Sequence, residues 1–376
     1  MKDATLTHHL ERKVHNTYAA CLNRLAPVVS LAENDLPAPK VLAEGGSETL
    51  ECGLEDQFYQ RAEPVKNTVQ YDPIRSFNFG NVYVVGDQGF IYQGARRRIE
   101  VCGEVSRLRR DKARRPISWL GRRIKAPVFH LTGNNHESHG HFVLQHLPRL
   151  MAAREQLIRQ PEVQVLLAAG HLHWQRFYLE RLGFGPERLL EVTPGTLFSR
   201  QLEYIPFYFG PGNLVAAKTY MAMRDLLAPG PALKRNRYLF LSRKGATHRA
   251  LVNETEVLNV CREVWPKMEP LDLKNYSPAS QVDLFRSARV VVGPHGQAFT
   301  NLVYTHDTLA LIFRPGLVVG GWSTSFRNLA RQMGGEGLVL TAGIKGWSNK
   351  DNWIYDLKRL RGQLTRLQEL LPDKYR

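Results

Sequence analysis

The chain has 376 residues, 43% hydrophobic and 10% aromatic, with 51 Lys and Arg against 35 Asp and Glu, a formal charge of +16. That composition builds real cores and excludes a wholly disordered chain, and the length suits two domains or one large α/β domain with an appendage. No apolar run reaches the ~20 residues of a membrane-crossing helix, the start lacks the apolar stretch of a secretory signal, and the scattered Cys21, Cys52, Cys102 and Cys261 read as free thiols of a reducing, cytosolic compartment.

Residues 1–75 lack a sustained period, so an irregular or partly helical N-terminal arm is expected. Residues 82–85 read as a strand that turns through 86–89 into a hairpin. From Arg96 to Lys125, twelve Lys and Arg (Arg96, Arg97, Arg98, Arg107, Arg109, Arg110, Lys112, Arg114, Arg115, Arg122, Arg123, Lys125) meet only Glu100, Glu104 and Asp111, which concentrates nine of the sixteen surplus charges. Such a stretch is attracted to polyanions, and an anionic membrane surface fits better than nucleic acid because its one aromatic, Trp119, makes no stacking platform. A solvated surface loop is the plainer alternative.

Residues 127–131 form a short strand, polar 132–138 follow, and a helix then carries Phe142, Val143, Leu144, Leu147 and Leu150. A buried strand at 163–167, a helix at 174–182 and strands near 189–192 and 202–205 complete this half. Residues 211–231, partly helical and closed by Pro229-Gly230-Pro231, are the linker. Beyond it, apolar strands at 238–241, 289–292, 309–313 and 337–340 alternate with helices at 254–264, 278–288, 297–302 and 325–333, the pattern of a parallel sheet covered on both faces. The tail 352–371 reads as a long helix, apolar at Trp353, Leu357, Leu360, Leu364, Leu367 and Leu371, which needs a partner surface. The expected division is an arm at 1–75, α/β domains at 76–230 and 231–345, and a C-terminal helix at 346–376 packing back.

Two segments can carry chemistry. Val290-Val291-Val292-Gly293-Pro294-His295-Gly296 runs from a buried strand into a helix start, and ligands of open α/β sheets bind at such strand ends. Free amides and the helix dipole favour an anion there, Gly296 admits a phosphate and His295 can donate to it. An ordinary strand–turn–helix junction is the alternative. The strand ending in Ser242-Arg243-Lys244 delivers two cations to the same edge, with Arg249 six residues on, a set suited to a diphosphate. Pro294, Gln297 and Asn301 belong to the same junction, and Tyr276 and Ser277 stand on a loop that could meet the base or ribose. The second segment has His136, Glu137, His139, His141 and His146 without a metal-ligand spacing, so no metal is expected. His141 and Gln145 are i, i+4 neighbours on one helix face, and His141 is either a general base or a capping or core histidine.

Taken in order, His141-Phe142-x-x-x-x-Leu147-Pro148-Arg149-Leu150, the Ser242-Arg243-Lys244…Arg249…Asn253-Glu254 block, and Leu284-Phe285-x-x-Ala288…Val292-Gly293-Pro294-His295-Gly296…Asn301 resemble glycosyltransferase family 61, the capsular-polysaccharide-biosynthesis type of bacterial proteins. The resemblance implies a GT-B-like fold of two Rossmann-like domains facing a cleft with the active site in it. It also implies a nucleotide-sugar donor held mainly by the C-terminal domain, inverting transfer and no obligatory metal or other cofactor. Two departures stand out. The family usually has His-Gly-Ala-Gly-Leu where this chain has His295-Gly296-Gln297-Ala298-Phe299, and an acid where it has Gln145. An amide takes no proton, so if that acid is the family's base, the expected base here is His141, His139 or Glu137, or else the chain takes an unusual acceptor.

The function expected is transfer of a sugar from a nucleotide donor to a cell-surface polysaccharide or lipid-linked glycan, by a cytoplasmic enzyme held peripherally at the inner face of the membrane. A polysaccharide pyruvyl or phosphosugar transferase, and a non-catalytic membrane-surface scaffold, are the alternatives.

Overall fold

A computed structural model describes residues 29–31, 36–51, 53–60, 67–86, 89–94, 97–99, 121–133, 135–168, 173–192, 196–206, 214–231, 233–316, 322–344 and 351–376. Cys21, Cys52, Cys102 and most of the basic stretch lie outside these residues, whereas Cys261 is a buried free thiol. Packing divides the chain into two units, Met1–Gly45 with Asp72–Tyr208, and Gly46–Tyr71 with Phe209–Arg376.

The chain opens with β1 (Val29–Leu31) and β2 (Lys40–Ala43), which belong to the first unit; β3 (Gly46–Leu50), α1 (Gly53–Phe58) and β4 (Asn67–Tyr71) belong to the second. The expected irregular arm therefore contains strands. They are three to five residues long, and among the described residues β3 pairs with β4 alone, so no sustained hydrophobic period marks them. The first unit continues with β5 (Ile74–Val85), β6 (Phe90–Gln93), β7 (Arg97–Ile99), β8 (Arg122–Ile124) and β9 (Val128–His130). A helix opens at His139–His141, winds as a π-helix over Phe142–His146 and continues as α2 (Leu147–Ile158). Then come β10 (Gln164–Ala168), α3 (His173–Arg181), β11 (Leu189–Val192) and β12 (Thr196–Tyr204).

The sheet of this unit is mixed. β5 lies antiparallel to β6 and β12, whereas β12, β9, β10 and β11 run parallel. The Rossmann-like character expected of it is confined to that parallel part. Arg149 explains the Pro-Arg of the helix motif: it is buried, and its guanidinium donates to the carbonyls of Ile205 (2.5 Å) and His130 (3.0 Å). These carbonyls lie where β9 and β12 end, so the charge is satisfied by backbone dipoles that it ties together.

The second unit resumes with α4 (Ala217–Leu227), β13 (Arg237–Leu241), α5 (Glu254–Val264), β14 (Met268–Leu271), α6 (Pro278–Arg286) and β15 (Ala288–Pro294). A 3-10 helix at Gln297–Tyr304, β16 (Leu309–Arg314), α7 (Trp322–Gln332), β17 (Glu336–Thr341) and α8 (Leu357–Leu370) complete it. The five strands of its main sheet are all parallel, in the order β14-β13-β15-β16-β17, while β3 and β4 form a separate antiparallel pair. Val290, Val291 and Val292 are all fully buried, so both sheet faces are covered and the strands read as unbroken apolar runs. On one face Val290, Val292, Leu311 and Phe313 share a core with Val257 of α5, Leu54 of α1 and Leu360, Leu364 and Leu367 of α8.

The partner surface of the tail helix is thus α5 and α1 of its own unit. Each buried leucine contributes about 1.5–3 kcal/mol. The helix starts later than its apolar spacing suggests because Asp356 caps it, accepting from the Arg359 amide at 2.6 Å. Trp353, the first apolar residue of the pattern, instead lies in extended chain bridged to Leu251 and is buried there, as is Tyr355 two residues on.

Candidate active site

In the second unit, the carboxyl ends of β13, β15 and β16 lie side by side and deliver Arg243, His295 and Arg314 to one sheet edge. Gly293 permits the close approach of β15 to β13: a Cβ there would fall 2.7 Å from the Leu241 carbonyl oxygen. At Gly296 an added Cβ would fall 2.3 Å from Arg243 Nη1. The space that the sequence reading reserves beside this glycine for a phosphate is therefore filled by the arginine that would meet it. Arg243 is held from the other side by the His248 carbonyl (Nη2 donating, 3.0 Å). Its backbone is held by Glu254 in the first turn of α5, whose carboxylate accepts from the Arg243 amide at 2.7 Å and from the Ser242 hydroxyl at 2.5 Å.

Arg249 sits in the loop between β13 and α5 in a left-handed backbone conformation, φ 59°. A non-glycine residue held there costs about 1–3 kcal/mol and persists only where its surroundings fix it. The surroundings do so. Ala250 donates to Asn352, Val252 to the Trp353 carbonyl and Trp353 to the Ala250 carbonyl, while Asn253 exchanges two hydrogen bonds with the Tyr355 backbone.

Burial and then the charge of Arg249 lower the pKa of both Arg243 and Arg314. Glu254 opposes the shift at Arg243. Arg314 is 6% exposed, and the Nε atoms of Arg243 and Arg314 are buried without a hydrogen-bond partner among the described residues. Three guanidinium groups, with the Glu254 carboxylate beside Arg243, form an electropositive cluster whose remaining N–H groups suit the oxygens of a phosphate.

In the first unit, the loop after β9 and the start of α3 carry the histidines. His136 is buried with Nδ1 on the Gly133 carbonyl (2.9 Å), and Gln175 of α3 donates to the His136 carbonyl at 2.7 Å. His139 meets the Tyr178 hydroxyl at 3.0 Å and the Trp174 ring at 5.3 Å between centroids, and burial pushes its pKa down to about 4. Glu137 is exposed. His141, half-buried, has Nδ1 2.6 Å from Gln145 Oε1, and burial lowers its pKa, the bond to Gln145 working against that shift. No three His, Cys, Asp or Glu among the described residues group as a metal site.

Residues 139–312 match the family model described as Glycosyltransferase 61. Over that stretch the chain is similar to glycosyltransferase family 61. No curated protein matches the chain.

The glycosyltransferase 61 region takes in His139, His141, Gln145, Arg243, Arg249, His295, Gly296 and Asn301, and stops two residues before Arg314. Several expected donor-site residues have structural occupations. The His295 amide donates to the Phe313 carbonyl at 2.9 Å, so that N–H serves the sheet, and the imidazole packs 5.4 Å from the Phe326 ring. Pro294 ends β15, while Lys244 and Gln297 are exposed. Ser277 caps α6 by accepting from the Ser280 amide at 3.2 Å, and Tyr276 before it is exposed. Asn301 is fully buried and reaches Gln281, whose amide holds the Leu273 and Tyr276 carbonyls, so it braces this loop. Arg314 is the residue that sequence reading overlooks. Its signal was present, since Leu309-Ala310-Leu311-Ile312-Phe313-Arg314 repeats the strand-then-cation arrangement of Tyr238-Leu239-Phe240-Leu241-Ser242-Arg243.

Proposed function

We propose that the protein is a glycosyltransferase of GT-B type that uses a nucleotide-sugar donor, whose phosphates are bound by Arg243, Arg249 and Arg314 with His295 beside them. The supporting observation is that burial and then the charge of Arg249 lower the pKa of both Arg243 and Arg314, a cationic cluster that an anionic ligand would relieve. As the bond from sugar to phosphate breaks, negative charge grows on the leaving phosphate, and preorganised guanidinium groups stabilise it without solvent reorganisation. His141 takes the proton of the attacking acceptor hydroxyl, with His139 and Glu137 in the same segment. Attack on the face opposite the leaving phosphate inverts the anomeric centre. The charge that a divalent ion would neutralise falls to the arginines, so transfer is expected to survive EDTA. The acceptor is a cell-surface polysaccharide or lipid-linked glycan.

The test is a thermal-shift panel of UDP-, GDP- and CMP-sugars, pyrophosphate and phosphoenolpyruvate, followed by transfer assays with whichever donor binds. A ligand bound only by the native state raises the melting temperature. A nucleotide sugar is expected to do so, and Arg243→Ala or Arg314→Ala to lower kcat/KM at least ~100-fold, the scale of removing a preorganised charge stabiliser. Near-wild-type kcat/KM in both variants would remove the phosphate role. Binding of phosphoenolpyruvate alone would replace the reading with pyruvyl transfer.

A further inference from the structure

The Gln145 side chain is buried on the π-helical turn Phe142–His146, directly after His141, and the two side chains meet at 2.6 Å through Nδ1 and Oε1. A carboxamide oxygen has no proton to give, so Nδ1 is the donor, and the neutral ring then carries its lone pair on Nε2. A carboxylate at this place would hold the same tautomer but would also stabilise the imidazolium. The amide does the first fully and the second only weakly, as a neutral acceptor that opposes but does not cancel the effect of burial. The residue that cannot itself act as a base thus still sets which nitrogen of its neighbour can.

We propose that Gln145 is a positioning residue that fixes His141 in the Nδ1–H tautomer, making Nε2 the atom that accepts the acceptor hydroxyl proton. This rests on the glycosyltransferase reading and deepens it. As the hydroxyl oxygen bonds to the anomeric carbon, its O–H electron pair stays on oxygen and the proton passes to Nε2. The anomeric carbon–oxygen bond to phosphate breaks, with its electron pair leaving on the phosphate. Exchanging the orienting carboxylate for an amide gives a weaker base that stays unprotonated to lower pH. Other titratable groups on and around the turn are His146, with Nδ1 on the Leu131 carbonyl, His139, which meets Tyr178 of α3, and His136, bonded to Gly133, with exposed Glu137 between these last two and exposed His173 at the start of α3. Arg149 beyond them points to the carbonyls of Ile205 and His130.

The test begins without turnover, with long-range 1H–15N spectra of the full chain, His141 being assigned by its loss in His141→Phe. At neutral pH the wild type is expected to show a protonated Nδ1 and an unprotonated Nε2. A carboxylate raises the pKa of a neighbouring imidazole, so Gln145→Glu should keep the tautomer while moving the imidazole titration, and the acid limb of kcat/KM, at least about one unit higher in pH. Gln145→Leu should mix the tautomers and lower kcat about 10–100-fold with KM for the nucleotide sugar unchanged. An Nε2–H tautomer in the wild type, or Gln145→Leu with wild-type kcat and pH profile, overturns the proposal. Wild-type transfer by His141→Phe would instead remove His141 as the base, while the spectra still decide what Gln145 does to it.

Discussion

Burial and, after it, the charge of Arg249 hold the guanidinium groups of Arg243 and Arg314 below their ordinary pKa, a cost that the protein carries until an anion meets them. Arg249 adds a left-handed backbone to that cost. Arg249→Gln is therefore expected to raise the melting temperature by a few degrees, on the scale of 2–4 °C per ~1 kcal/mol for a domain of this size, while abolishing the shift produced by pyrophosphate. Calorimetry with and without pyrophosphate checks both halves, and a destabilised variant that still binds would contradict the picture. The two glycines of the strand end separate by the same logic. A methyl at Gly296 meets the movable end of Arg243, so Gly296→Ala should weaken donor binding about tenfold with little loss of stability. A methyl at Gly293 meets the Leu241 backbone, so Gly293→Ala should cost about 1–3 kcal/mol in urea unfolding, the scale of overpacking a close contact. Arg243 and His295 were legible because a cation and a histidine each follow an apolar strand. That Gly296 makes room for Arg243 was not legible, because it depends on which strands are neighbours.

Among elements, those with a strong period came out close to expectation. The helix expected at 254–264 is α5 with the same bounds, and the strands expected at 238–241 and 309–313 are β13 and β16, each extended by one residue. The edge strand β14, Met268-Glu269-Pro270-Leu271, escaped because a four-residue run with an acid and a proline carries no such signal. Tail residues 352–355 show a different failure. Their apolar spacing continues the α8 pattern backwards, yet they form an extended brace for the loop that carries Arg249. That brace predicts coupling between the tail and the site. Asn253→Ala removes both hydrogen bonds to the Tyr355 backbone and leaves that amide and carbonyl without them, for about 1–3 kcal/mol of stability. It should also weaken pyrophosphate binding severalfold, because Arg249 loses its fixed backbone. Unfolding and binding measured on one preparation test this, and an unchanged affinity in a destabilised variant would leave the tail as packing alone.

For the whole molecule, the least legible feature was the membership of residues 46–71. Glu55 of α1 is 2% exposed and pairs with Arg327 at 2.8 Å and Arg331 at 2.6 Å, partners more than 270 residues away that no local pattern could assign to it. The charge of the chain, in contrast, is readable directly and bears on the acceptor. Among the described residues no helix is long and apolar enough to cross a membrane, and an enzyme acting on a lipid-linked glycan has to meet the bilayer surface. The twelve basic residues between Arg96 and Lys125 could supply that contact, since each Lys or Arg near an anionic surface contributes about 1 kcal/mol. Such attraction acts over a Debye length of about 8 Å at physiological salt. Vesicles of phosphatidylglycerol and phosphatidylcholine should therefore sediment the protein at low salt and release it as salt rises to several hundred millimolar, with pure phosphatidylcholine inert. Replacing Arg107, Arg109, Arg110, Arg114 and Arg115 by Gln should abolish sedimentation while leaving the nucleotide-sugar thermal shift intact, because Arg243, Arg249 and Arg314 are untouched. If the five-residue variant still sediments, or if sedimentation is lost with Arg243→Ala instead, the membrane role of the stretch is disproved and its charge serves solubility.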